Sequence, residues 1–235
     1  MDRPVIVLDV NETLSDLSAL APAFEAEGAA GALAQTWFAA TLRDGFALTM
    51  VGESRSFAEV GRPVLLGLLA HVEALLDEPA DAADAILGAF AELPPHDDVA
   101  GGITALAAAG HRIVTLSNGA GANARALVER AGVADLVERH IGVEDTGVMK
   151  PHPDAYRRGL ASIGVEPGEA VLAAVHPWDL HGARRVGLRT AFVDRTGAPW
   201  PAVFERAEFA VPSLVELAGV IHSRCHTATR GGGRR

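Results

Sequence analysis

One lysine and one tyrosine stand close together in this 235-residue chain, in the stretch GVMKPHPDAY, where Lys150 is followed six positions later by Tyr156. Every other strongly basic side chain is arginine. Three more groups able to do chemistry follow short apolar runs: Asp9 closes PVIVLD, Ser117 and Asn118 follow HRIVTL, and Asp179 follows AVLAAVHPW. Two carboxylates, a hydroxyl–amide pair and an ammonium are the groups of acid–base, nucleophilic or charge-assisted catalysis. They lie far apart in sequence, so only the fold can bring them together.

The elements that must position them are legible. PVIVLDV is a β-branched, unbroken apolar run and reads as a buried parallel strand. Residues 17 to 93 are rich in Ala and Leu and read as helical, punctuated at EGAAG, VGES, GRP and DEPAD. LPPHDDV reads as a linker. Beyond it, the pattern alternates: helix VAGGITALAAAG, strand HRIVTLSNG, helix AGANARALVERAG, a short strand in LVERHIGVEDTG, and helix HPDAYRRGLASIG. Strand AVLAAVHPW, helix DLHGARRVG, strand RTAFVDR and helix VPSLVELAGVI complete it. Alternating strands and helices predict an α/β fold with a doubly wound, Rossmann-like parallel sheet. The helical block after the first strand predicts an inserted α-helical cap. The expected division is a core of 1–15 and 95–222, a cap of 16–94 and a disordered tail of 223–235. Ligands of such sheets bind beyond the carboxyl ends of the strands, and this rule gathers Asp9, Ser117, Asn118, Lys150 and Asp179 on one rim.

Composition narrows the partners. A formal net charge of −10 disfavours nucleic acid and anionic lipid. No apolar stretch reaches the roughly 18 residues of a membrane helix, and the opening run is too short for a secretory signal. Cys225 is the lone cysteine, which fits a reducing compartment, so a soluble cytoplasmic protein is expected. No P-loop or dinucleotide glycine fingerprint is present.

The order Asp-x-x-x-Thr, Ser-Asn, Lys-Pro and a late Asp resembles the haloacid dehalogenase superfamily across the whole chain. LDVNETLSD, TLSNG, KPHPDAY and VHPWDLHGA are similar to its first to fourth motifs. SNG, the Tyr after the Lys and the Trp-Asp of the fourth motif are similar to the L-2-haloacid dehalogenase branch. This resemblance implies that Asp9 attacks the halogen-bearing carbon, forming an aspartyl ester that water hydrolyses without metal or other cofactor. It implies that Lys150 pairs with Asp9 and that Asp179 holds Lys150 and helps position the water. Thr13 and Ser117 would bond to Asp9 or the substrate carboxylate, and Asn118 would donate to the departing halide. Tyr156 would line the pocket with its hydroxyl inward, with Trp178 walling off solvent. The substrate would be a small halocarboxylate-like anion, and the assembly a homodimer through the cap and nearby core helices.

Residue chemistry bears on this choice. Related phosphatases carry a general-acid Asp two positions after the nucleophile; here Asn11 stands there, and an amide cannot supply that proton. They also hold Mg²⁺ through adjacent acids in the fourth motif, where this chain has Ala174 and Val175, leaving Asp9 and Asp179 as a poor set of hard oxygen ligands. Lysine, a compact cation with three donors, can serve two carboxylates where the planar fork of arginine would crowd the pocket.

Two departures stand out. The family places an Arg after the cap Trp; here Phe38 follows Trp37, and Arg43, about one and a half turns on, is the candidate substitute for binding the substrate. Where the fourth motif usually carries an Asn, His176 stands, either as base for the hydrolytic water or as a hydrogen-bonding replacement. Plainer roles compete: Asp179 as a helix cap, Ser117–Asn118 as a turn, Tyr156 as core, Arg43 as a solvated ion pair, and Trp37, Phe38 and Phe46 as packing. The competing functions are an Mg-dependent phosphatase or phosphonatase-like hydrolase and a non-catalytic member of the fold.

Overall fold

The computed structural model describes residues 3–72 and 78–221; Cys225 and the expected tail lie outside the described residues. Six parallel strands form one sheet: β1 (Val5–Leu8), β2 (Ile113–Leu116), β3 (Arg139–Ile141), β4 (Ala170–Ala174), β5 (Arg189–Val193) and β6 (Phe209–Val211), in the order β3-β2-β1-β4-β5-β6. The four residues of β1 are all buried because both faces of the sheet are covered. Alternate side chains serve opposite cores: Ile6 and Leu8 join Ile103, Leu127 and Leu214, while Val5 and Val7 join Leu160, Leu172 and Leu180. Helices α5 (Val99–Ala108) and α6 (Gly121–Arg130) contribute to the first core, α8 (Pro153–Ala161) and α9 (Pro177–Val186) to the second. The chain winds outward from β1 to β3, then returns to the other side of β1 at β4. The strand order therefore reverses between β1 and β4, where a crevice opens at the carboxyl ends.

Between β1 and α5 lie α1 (Ala21–Ala26), α2 (Leu33–Met50), α3 (Phe57–Leu69) and α4 (Pro79–Ala91), with their own core of Leu20, Phe24, Trp37, Phe38, Phe57, Leu65 and Ile86. Trp37 Nε1 donates to the Gly61 carbonyl at 2.9 Å. A Cβ at Gly61 would stand 3.1 Å from the indole, so glycine lets α2 and α3 close on each other. The segments entering and leaving this block run side by side: Ser15 bridges Pro95, Asp16 N–H donates to the Pro94 carbonyl at 2.9 Å and His96 N–H to the Leu14 carbonyl at 2.9 Å.

Three expectations need correction. GRP does not break a helix: α3 runs through Pro63, held by its Ser56–Glu59 capping box and by the burial of Val60, Gly61 and Leu65 on either side. Pro177 and Trp178 belong to the first turn of α9 rather than to the preceding strand, since proline at N1 starts a helix at no hydrogen-bonding cost. The three-residue strand β6 and the short helix α7 (Val143–Thr146) were not anticipated; both are too short to carry a period.

Candidate active site

Asp9 immediately follows β1, and its N–H donates to the Ala173 carbonyl at 3.0 Å, which extends the β1–β4 pairing by one rung and plants the carboxylate at the switch point. The chain then turns sharply, with Leu14 N–H returning to the Val10 carbonyl at 2.8 Å. Within this turn Glu12 takes a left-handed conformation, φ 61°, uncommon for a residue with a side chain. The turn brings Thr13 back under Asp9: its hydroxyl donates to Asp9 Oδ2 at 2.6 Å and accepts from Val175 N–H at 3.1 Å. Arg195, just beyond β5, clamps the same turn by donating to the Thr13 carbonyl at 2.7 Å and to Asp98 at 3.0 Å.

Lys150 arrives from the loop after α7. Its ammonium lies 2.8 Å from Asp9 Oδ1 and 2.6 Å from Asp179 Oδ2, and all three side chains are almost wholly buried. Asn118 sets its position by a reciprocal clamp on the lysine backbone: Asn118 Nδ2 donates to the Lys150 carbonyl at 2.9 Å and Lys150 N–H to Asn118 Oδ1 at 2.7 Å. Behind Asp179, the Tyr156 hydroxyl donates to Oδ1 at 2.7 Å and lies 3.0 Å from the Asp179 carbonyl. A Cβ at residue 182 would come within 2.7 Å of that hydroxyl, so Gly182 leaves the room it needs.

Burial alone would push the Asp9 carboxyl up, but the ammonium of Lys150 and the imidazole of His176 outweigh it and hold Asp9 well below the usual carboxylate range. Burial would likewise depress Lys150; Asp179 and Asp9 outweigh it and raise its pKa. Asp179 moves the other way: burial raises it, as does the charge of Asp9, against the opposing pull of Lys150. Tyr156 is pushed well above its ordinary value by burial and by Asp179, so it stays a phenol and a donor. The site thus presents a dry, ionised carboxylate fixed by an ammonium, an arrangement suited to nucleophilic attack on carbon.

The other sequence-picked residues fall into place differently. Ser117 Oγ accepts from Gly119 N–H at 2.9 Å and makes no bond to Asp9. With Asn11, Ser117 lines a cavity of about 320 Å³ walled by Phe57, Leu87, Phe90 and Leu127. Asn118, expected to donate to a halide, has its oxygen and one N–H committed to Lys150. The Tyr156 hydroxyl points inward but at Asp179, and this residue is absent from the cavity lining. Trp178 packs edge-on against Phe46 of α2, ring centres 5.1 Å apart, and is part of the seam between the helical block and the sheet. Arg43 does not reach over: its side chain is 72% exposed and pairs with Asp44 at 2.7 Å. Five residues of helix rotate it about 140° from Phe38, which itself faces His176. His176 Nε2 lies 2.8 Å from Glu12 Oε2, and Nδ1 lies 3.5 Å from Asp9 Oδ2. Burial would lower its pKa, but Asp9 and Glu12 push it up to about 9. While Asp9 is ionised, the ring is thereby held toward its charged form between the two carboxylates. Glu12 and Arg195 were missed by sequence reasoning. Glu12 fills an unspecified position of Asp-x-x-x-Thr, Arg195 lies outside the four motifs, and their partners lie 164 and 182 residues away.

A family model described as haloacid dehalogenase-like hydrolase matches residues 4–187. The (S)-2-haloacid dehalogenase of Xanthobacter autotrophicus is 32% identical over 194 residues, 81% of this chain and 74% of that protein. The (S)-2-haloacid dehalogenase 1 of Pseudomonas sp. (strain CBS-3) is 27% identical over 213 residues, 90% of this chain and 93% of the relative. Among solved structures, the L-2-haloacid dehalogenase from Xanthobacter autotrophicus with chloropropionic acid covalently bound matches with a TM-score of 0.79 at 27% identity, over 94% of this chain and 99% of that one.

Proposed function

This chain belongs to the haloacid dehalogenase-like hydrolase family, and from that membership we propose that it is a 2-haloacid dehalogenase whose nucleophile is Asp9. One Asp9 oxygen attacks C2 of the haloacid in line; the carbon–halogen bond breaks, halide leaves with the electron pair, and an aspartyl ester remains. Water then adds to the Asp9 carboxyl carbon and the acyl–oxygen bond breaks. The hydroxy acid departs with one water proton, and the second is released as Asp9 returns to the carboxylate. Lys150 keeps Asp9 ionised and aimed, Thr13 holds its second oxygen, and Asp179, anchored by Tyr156, fixes Lys150 and positions the water. Ser117 and Asn11 border the substrate space, Asn118 places Lys150, and Trp178 with Phe38 excludes solvent.

The observation that carries this reading is the buried bridge of Lys150 between Asp9 and Asp179, at 2.8 and 2.6 Å. It supplies an ionised carboxylate, the reagent for displacing halide. The covalent adduct seen in the Xanthobacter relative supports the ester. The phosphatase reading is weaker, since both carboxylates that would bind Mg²⁺ hold the ammonium and Asn11 stands where the leaving group needs an acid. The same reading takes 16–94 as a cap inserted into a core of 1–15 and 95–222, and places the protein in the cytoplasm. No helix among the described residues is long and apolar enough to cross a membrane. It also includes a homodimer through the cap and nearby core helices, supported on the cap side by Met50 and Val51, which stand 81% and 73% exposed at the end of α2; analytical ultracentrifugation tests it.

The deciding experiment is a screen for halide and phosphate release, with and without EDTA, using Asp9→Asn as control. Halide release that survives EDTA and vanishes in Asp9→Asn is expected, with product of inverted configuration at C2. Phosphate release abolished by EDTA would sink the proposal. Mass spectrometry of trapped enzyme should find the added mass on the peptide carrying Asp9.

A further inference from the structure

We propose that Glu12 and His176 form a carboxylate-recognising couple: Glu12 fixes the imidazole through Nε2, and Nδ1–H, beside Asp9, receives the carboxylate of the incoming acid. This rests on the dehalogenase reading and names the anion-binding residue within it. In these terms His176 touches substrate, and Glu12 is a positioning residue.

Geometry carries the assignment. Glu12 Oε2 holds Nε2 at 2.8 Å, and the left-handed turn at Glu12 puts its carboxylate there. Nδ1 faces Asp9 Oδ2 at 3.5 Å, too far for a good hydrogen bond. Among the described residues it is the buried side-chain polar atom left without a hydrogen-bond partner. Buried polar atoms are rarely left so, and one beside a nucleophile has the position of a group awaiting substrate. The ring is pinned: Phe38 stacks on it with ring centres 6.4 Å apart and Trp178 packs at 5.0 Å.

Charge counting leads to the same residue. Three carboxylates, Asp9, Glu12 and Asp179, meet two cations, Lys150 and His176. An anionic substrate adds a further negative charge. Lys150 is engaged by two carboxylates, Arg43 faces solvent, and Arg195 is tied to the Thr13 carbonyl and Asp98. His176 is the cation with a buried nitrogen that has no hydrogen-bond partner, and its pKa, pushed up to about 9, favours the form with both ring nitrogens protonated. Around it the β1 turn brings Asp9, Glu12 and Asp16, and Lys150 lies beyond Asp9. Glu12 and His176 line a cavity of about 300 Å³ together with His96 and Arg195, distinct from the one that Ser117 and Asn11 line, and α2 brings uncharged Gln35 and Phe38.

The test is calorimetric titration with propionate, which has no halogen to lose, on the wild type, His176→Gln and Glu12→Gln. His176→Gln should weaken binding roughly ten- to a hundredfold, the span for a hydrogen bond to a charged group, and Glu12→Gln by less. Wild-type binding should fall as pH passes about 9, a step His176→Gln lacks and Glu12→Gln shows at lower pH. In steady-state kinetics the loss should sit in KM rather than kcat. Absent propionate binding to the wild type, unchanged affinity in His176→Gln, or a defect confined to chloride titrated separately would overturn the couple. Should His176→Gln not fold, nitrogen NMR of the wild-type ring decides: propionate should shift Nδ1 more than Nε2, and an unmoved Nδ1 rejects the assignment. His176-dependent propionate binding without halide release defeats the dehalogenase reading alone; halide release with His176-independent binding defeats only the couple.

Discussion

The two walls of the site are built from opposite materials. On the sheet side, Asp9, Lys150, Asp179, Thr13 and Tyr156 form a buried web of charge-assisted hydrogen bonds within 3 Å. On the helical side, α2 to α4 offer Trp37, Phe38, Phe57 and Phe90, whose rings pack against one another, Phe57 and Phe90 stacking at 5.1 Å. A polar web is unforgiving, since each member leaves a buried charge behind when removed, whereas an aromatic cluster loses area and repacks. In the proposed reading the sheet wall holds the reaction, and the helical wall keeps it dry and shapes what enters. That division can be broken or sharpened by mutation.

The largest expected effect is that of Asp9→Asn, which should lower halide release by about ten-thousandfold or more while the protein stays folded. Comparable turnover from this variant would move the chemistry elsewhere. Next, Lys150→Met leaves Asp9 and Asp179 facing each other in a dry site; urea titration should show a loss of about 3–5 kcal/mol, together with loss of activity. Lys150→Arg should also lose most of its turnover, because the wider fork cannot occupy the gap between the two acids.

On the other wall, Phe57→Ala should cost about 3 kcal/mol of stability yet change kcat far less than any of the three sheet-wall variants. A kcat loss as deep as that of Asp9→Asn would erase the distinction between the walls. The couple that spans the seam has a pH signature. The His176 pKa rises on folding from 6.5 to about 9. Its stabilisation is therefore fully present below pH 6.5 and lost as pH climbs through about 9, a swing of about 3 kcal/mol. Denaturation curves at pH 6 and pH 10 should show it in the wild type and not in His176→Gln. The smallest effect is that of Arg43→Ala: an exposed ion pair contributes little, so KM and melting temperature should stay put. A raised KM would return Arg43 to the site.

Much of the fold could be read in advance because parallel strands covered on both faces must be apolar throughout, and PVIVLD, HRIVTL and AVLAA announce this in their residues. The helical block showed itself by composition and by the linker LPPHDDV. Less visible were β6, α7 and the passage of α3 through Pro63, where tertiary burial outweighs weak local signals. In the site, Asp9, Lys150 and Asp179 could be named because each follows a strand or its loop, and strand ends converge in this topology. Glu12 could not: a glutamate in a turn is ordinary until its partner, 164 residues on, is known.

By itself, the sequence determined which side chains arrive at the rim, since the alternation of elements leaves each strand end one place to go. The tertiary structure alone decided what each side chain touches there. Asn118 grips the lysine backbone, Arg43 turns to water, and His176 stands between two carboxylates with one nitrogen unclaimed. The reason is geometric: a strand end fixes a residue's position to within a few ångströms, but a hydrogen bond is made or lost within half of one. That finer setting comes from how helices seat against the sheet, through contacts such as Gly182 beneath Tyr156 and Phe38 upon His176.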